Sequence, residues 1–177
     1  MRGALPALAA LLVLAACPGE TASDPLDPEL VSELSGTQGS AEGSGYAGSW
    51  RMSATQHECD CPSVEFDGDP IDLCILADLG AFSNLELEIG QVDGYLGATL
   101  PSDIVLTGPV EANGAFTLAG VRNLSTAAGT LQAIIRIDGS FPDLDNAEGD
   151  AAQRFVGEFA TEAVDCRWQG ELSAERS

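Results

Sequence analysis

From Tyr46 onward, apolar residues arrive in short runs, many of them at a period of two. "SWRMSATQHE" puts Trp50, Met52 and Ala54 on one face and Arg51, Ser53 and Thr55 on the other. "NLELEIG" sets Leu85, Leu87 and Ile89 against Glu86 and Glu88. Such alternation predicts half-buried strands. "IDLCILADL" is a continuous apolar run and predicts a fully buried strand. "VDGYLGATL", "DIVLTGPVEA", "GAFTLAGV", "GTLQAIIRIDGSF", "RFVGEFATEAV" and "CRWQGELSA" extend the series. Turn signals stand between them at "FDGDP", Ala112-Asn113-Gly114, "TAAG" and "PDLDNAEGD". Long helical patterns are absent. The whole predicts an all-β domain over residues 46–177, a single antiparallel barrel or sandwich of about nine short strands.

The first residues follow another pattern. Met1-Arg2 is a basic start, and Ala4 to Ala16 is apolar except for Pro6. The run is too short to span a bilayer and reads as a signal peptide over 1–16. Its end, Leu14-Ala15-Ala16-Cys17, resembles the lipobox of bacterial lipoproteins. The resemblance implies cleavage before Cys17 and acylation of both its sulfur and its new amino group. Several acyl chains on one residue hold a protein stably on a membrane. Pro18, rather than Asp, follows the cysteine. By the enteric sorting pattern, that implies the outer membrane of the cell envelope. Residues 17–45 are rich in Pro, Ser, Gly and acids and predict a flexible linker, its ends ~30 Å apart.

Charge narrows the partners. Asp and Glu number 28 against 7 basic residues, all arginine. Without Arg2 the balance is 6 minus 28, or −22. That field repels nucleic acid and anionic headgroups, and leaves cationic partners open. The carboxylates of "FDGDPID" (Asp67, Asp69, Asp72) and "DLDNAEGD" (Asp143, Asp145, Asn146, Glu148, Asp150) miss the EF-hand spacing. They fit weak divalent-cation binding at most. A composition 45% hydrophobic supplies a core for the rest.

Beyond Cys17 four cysteines remain: Cys59, Cys61, Cys74 and Cys166. In an exported chain they predict two disulfides. One intervening residue makes a Cys59–Cys61 bond strained, so each of the two pairs with Cys74 or Cys166. The alternative is a zinc or copper site built from His57, Cys59, Cys61 and Cys74. His57 is the single histidine, there is no lysine, and no Gly-x-Ser-x-Gly elbow exists. No nucleophile–base pair is recognisable, and nothing calls for a cofactor.

Gly48-Ser49-Trp50 opens the first strand and Cys166-Arg167-Trp168 opens the last. The pair resembles lipocalin-like small barrels, in which a Gly-x-Trp closes one end and an arginine from a late strand covers the indole. The resemblance implies a barrel floor of Gly48, Trp50 and Arg167; ordinary core packing of Trp50 and Trp168 fits as well. Two functions follow. The first is a membrane-anchored structural or interaction module with an envelope protein partner. The second is lipocalin-like binding of a small apolar ligand inside the barrel.

Overall fold

The structure is a computed structural model that describes residues 24–75, 84–100 and 104–177. Cys17 and the segment before it lie outside the described residues, as do residues 76–79 of the "IDLCILADL" run. Within that run, residues 71 and 72 are extended, whereas Leu73 to Ile75 are helical and Ile75 is exposed. The expected single buried strand is therefore corrected: the run turns a corner.

Besides the helical residues 73–75, the described residues form a short helix, α1 (Pro28–Ser35), and the strands β1 (Gly48–Asp60), β2 (Ser63–Phe66), β3 (Asp69–Asp72), β4 (Leu85–Val92), β5 (Tyr95–Thr99), β6 (Val105–Pro109), β7 (Ala115–Thr126), β8 (Gly129–Ser140), β9 (Asn146–Phe159) and β10 (Glu162–Arg176). Eight of them close into an antiparallel up-and-down barrel, in which each strand pairs with the next along the chain and β10 closes on β1. β2 and β3 form a separate hairpin between the first and second barrel strands.

Period two decides which side chains enter. On β10, Val164, Cys166, Trp168, Gly170, Leu172 and Ala174 are buried, while Asp165, Gln169, Glu171 and Ser173 face out. β1 follows the same rule through Trp50 and Met52. A register shift between Gln56 and Glu58 then lets His57 bulge outward. The inward residues fill the lumen. Gly170 makes room for the Trp168 indole, whose ring atoms would lie 2.7 Å from any added Cβ. What remains is a cavity of about 20 Å³ among Met52, Leu87, Ile89, Phe116, Ile137 and Leu172.

The barrel is lopsided. β7 to β10 run 12 to 15 residues, and β5 and β6 only 5 each. The long strands overshoot the short wall, and their inward faces continue as Leu131, Phe155, Phe159, Val164 and Cys166. The β2–β3 hairpin covers this apolar extension with Val64 and Ile71. Burying such surface stabilises by ~25 cal/mol per Å².

Residues 24–45 depart from the expected flexible linker: they are ordered and strapped to the barrel. Asp27 caps α1, accepting from the amides of Glu29 (2.9 Å) and Leu30 (3.1 Å), with Pro28 at the first helical position. Leu26 and Val31 are buried against Ala119 and Ile134 on the outer wall. The helix C-terminus is held too, since the Ser35 carbonyl accepts from the Tyr95 hydroxyl (2.9 Å) and Thr107 Oγ1 (2.7 Å). The strap then crosses one end of the barrel. The amide of Gly39 donates to the Gly94 carbonyl (2.8 Å), and that of Ala41 to the Val110 carbonyl (3.0 Å). A Cβ on Gly39 or on Gly94 would collide with backbone, so two glycines permit this crossing.

Candidate functional site

Among the described residues, polar and reactive groups gather at the barrel floor, on its outer wall and at the end where it closes.

The floor lies where β1 begins and β10 ends. Trp50 is fully buried there, and its indole N–H donates to the Tyr46 carbonyl (3.1 Å). Tyr46 stacks on Phe141 with centroids 4.1 Å apart, and Phe116 tilts against the same ring at 4.7 Å. The cation over Trp50 is Arg176, 5.3 Å from the ring centroid. This corrects the expectation for Arg167, which leaves the floor entirely. Arg167 alternates with the inward-facing Cys166 and Trp168 and therefore points out through the wall. Gly48 sits at the floor edge, paired with Ile89.

On the outer wall Arg167 joins an ion cluster. Its guanidinium donates to both oxygens of Asp24, with Nη1 3.1 Å from Oδ1 and Nη2 in contact with Oδ2. Arg154 donates to Asp24 (3.2 Å) and, in a fork, to Asp165 (2.7 and 2.6 Å). The Arg167 hydrogen bond holds the Asp24 carboxyl below its ordinary range, and the Leu26 amide adds to it. Arg154 does the same for Asp165. Reciprocally, both guanidinium groups are pushed further toward their charged form. Sequence spacing gave no sign of this cluster, because Asp24 lies 130 residues from Arg154 and in the segment expected to be free.

The four cysteines meet at the opposite end, on the seam where the barrel closes. Cys59 is the last residue but one of β1, Cys61 follows the strand, and Cys166 lies across on β10, where Cys59 pairs with Trp168. Bridges join Cys59 to Cys74 and Cys61 to Cys166, across 15 and 105 residues of chain. This is one of the two connectivities the spacing allowed. The sulfurs of the two bridges touch, with Cys59 Sγ 3.3 Å from Cys61 Sγ. Among the described residues, Cys59, Cys61 and Cys74 also have the mutual spacing of a metal-ligand set. His57 is not part of that group, because the bulge turns it to solvent.

Beneath the sulfurs the lumen holds two amides. Gln56 Oε1 accepts from the Trp168 indole N–H (3.0 Å). Gln153 is 3% exposed and faces inward, and its Nε2 has no hydrogen-bond partner. Acids elsewhere serve the backbone. Asp143 accepts from the amides of Asp145 and Asn146 (both 2.8 Å), which holds its carboxyl below the ordinary range. Asp72 caps the Cys74 amide (2.9 Å), and Asp67 with Gly68 makes the β2–β3 turn at positive φ. Asp138, Asp150 and Glu171 stand side by side on β8, β9 and β10, lining a shallow outer hollow. No helix among the described residues is long and apolar enough to cross a membrane. A scan of known protein families finds no model that matches the chain, and no curated protein matches it.

Proposed function

We propose that this chain is a lipid-anchored component of the outer membrane of a bacterial cell envelope, whose barrel works through its outer surface as a structural or partner-binding module. The outer-surface reading rests on the filled lumen. About 20 Å³ is left between opposite walls. A small-molecule pocket takes roughly 300 Å³ or more. The anchor reading rests on Leu14-Ala15-Ala16-Cys17 at the end of an apolar run with a basic start.

The strap supports both readings together. Only residues 18–23 separate Cys17 from Asp24, where the ion cluster grips the wall. Even fully extended, that stretch reaches ~25 Å. An anchored barrel therefore rides close to the bilayer, tethered at its β9–β10 wall. Its negative charge disfavours lying flat on anionic headgroups. In the row of Asp138, Asp150 and Glu171, Arg136 already pairs with Asp138 (2.6 Å), and Asp150 and Glu171 beside it favour a partner that presents basic residues.

The test uses the full chain expressed in a bacterium fed an alkynyl palmitate. The wild type takes up the label and sediments with membranes, and Cys17→Ser does neither. An unlabelled wild type refutes the anchor. Solvent extraction of the purified protein leaves the covalent anchor in place and releases no apolar molecule in stoichiometric amount. One apolar molecule released per barrel refutes the outer-surface reading in favour of a lumenal ligand.

A further inference from the structure

The two disulfides are not independent staples. Cys59 belongs to one and Cys61 to the other, and their sulfurs lie 3.3 Å apart. That is within the 3–3.5 Å of a near-attack arrangement. Thiol–disulfide exchange needs a thiolate at such a distance from a bridged sulfur and a second sulfur able to leave. Here the second sulfur is Cys166, 2% exposed beneath the β2–β3 hairpin. Cys59, Cys61 and Cys74 are each only half-buried.

We propose that the four cysteines form a thiol–disulfide exchange relay. It accepts a dithiol at the outer bridge and delivers the reducing equivalents to the buried one. The thiolate of the dithiol attacks Cys74 Sγ, the S–S bond to Cys59 breaks, and Cys59 leaves as a thiolate. Cys59 attacks Cys61 Sγ, the Cys61–Cys166 bond breaks, and Cys166 leaves as a thiolate and takes up a proton. The second thiol of the dithiol resolves the mixed disulfide at Cys74, freeing that thiol and closing the dithiol to its own disulfide. One dithiol is oxidised by two electrons. The protein exchanges two bridges for one, Cys59–Cys61, and gains thiols at Cys74 and Cys166.

The product bond spans one residue along a strand, a separation that disulfides fit with strain. Strained bridges have more oxidising potentials, so a second dithiol reduces Cys59–Cys61 readily. The seam thus opens in sequence from an attack on its accessible edge. The relay stands on the sulfur geometry alone and does not need the lipid anchor.

The experiment treats the full chain with one equivalent of dithiothreitol and quenches with acid at timed intervals. The protein is then unfolded, alkylated with a maleimide and mapped by peptide mass. The relay predicts that the first species with two free thiols is labelled at Cys74 and Cys166. It also predicts that Cys166 appears at least about tenfold faster than in Cys59→Ala/Cys74→Ala, where the buried bridge must be attacked directly. Labels at Cys59 and Cys74, with Cys166 released no faster than in that variant, overturn it, as does failure of dithiothreitol to open either bridge. Should the double variant fail to fold, Cys74→Ala gives the same answer. Its single thiol spreads from Cys59 to Cys166 if the relay operates, and stays on Cys59 if it does not.

Discussion

Asp24 shows how much one carboxylate can organise. It accepts from Arg167, Arg154 and the amide of Leu26, two residues on. In doing so it fixes the start of the strap whose next residues bury Leu26 and Val31. Charge-assisted hydrogen bonds of this kind contribute about 1.5–3 kcal/mol. The side chain keeps 30% of its exposure, which places the cluster near the lower bound. Asp24→Asn keeps an acceptor and loses the charge. It should cost about 1–2 kcal/mol in urea denaturation. It should also open Glu29 and Glu33 to a glutamate-specific protease before the barrel unfolds. The pH dependence has a definite sign. Asp24 and Asp165 have lowered pKa values in the folded state. Their contribution is complete above the unfolded carboxylate value of about 3.9 and is lost as pH falls through the lower folded values. Wild-type stability should therefore fall on acidification below about pH 4, and the Asn variant should show a shallower fall. Equal slopes would show that the cluster does not hold the strap.

Among the elements, the β9–β10 turn is the one whose sequence fits its geometry least. Phe159 pairs with Glu162, which leaves Ala160 and Thr161 as a two-residue connection with φ of 51° and 68°. Positive φ at both positions is the hairpin geometry that Asn-Gly adopts without penalty. For alanine and a β-branched threonine it costs about 1–2 kcal/mol per residue. Replacing Ala160-Thr161 with Asn-Gly should raise stability by about 1–2 kcal/mol and leave the register unchanged, read from the urea midpoint at constant m-value. The same turn explains a misreading. "RFVGEFATEAV" reads as one strand because neither turn position, Ala160 nor Thr161, is a glycine, proline, Asn or Asp. Asp93-Gly94 is the opposite case: a strong hairpin signal stands there, and the buried positions change from Leu87, Ile89 and Gln91 before it to Leu96 and Ala98 after it. Where alternation and turn residues agree, as at "NLELEIG" and "FDGDP", the strands are legible. α1 was hidden differently. "PELVSELS" has only Val31, Leu30 and Leu34 to bury, too little to order a helix on its own. It becomes stable only against the small outward residues Ala119 and Ala152, which no local pattern reveals. Arg176 was missed as the cover of Trp50 for a related reason. Both ends of the chain must be in place before the last strand can be seen to finish at the floor.

At the scale of the whole molecule, the barrel closes along one seam, β1 against β10, which joins the two ends of the fold. The other pairings in the barrel join their strands through shorter connections, the longest being residues 61–84 between β1 and β4, which hold the β2–β3 hairpin. The seam requires more than a hundred residues to return, and the entropy of that closure grows with the logarithm of loop length. The Cys61–Cys166 bridge, with 105 residues between its ends, removes that term from the unfolded state, whereas Cys59–Cys74 closes only 15. The loop-entropy relation gives about 4.7 kcal/mol for a loop of 100 residues and about 3 for one of 15. Cys61→Ala/Cys166→Ala should therefore lose about 1.7 kcal/mol more stability than Cys59→Ala/Cys74→Ala in urea denaturation. The rates should separate the pair further. Long-range contacts are the slow ones to form, so loss of the seam bridge should retard refolding, whereas loss of the hairpin bridge should act mainly on unfolding. Equal losses in the two variants, with unchanged refolding rates, would mean that hydrogen bonding along β1 and β10 closes the barrel without help from sulfur.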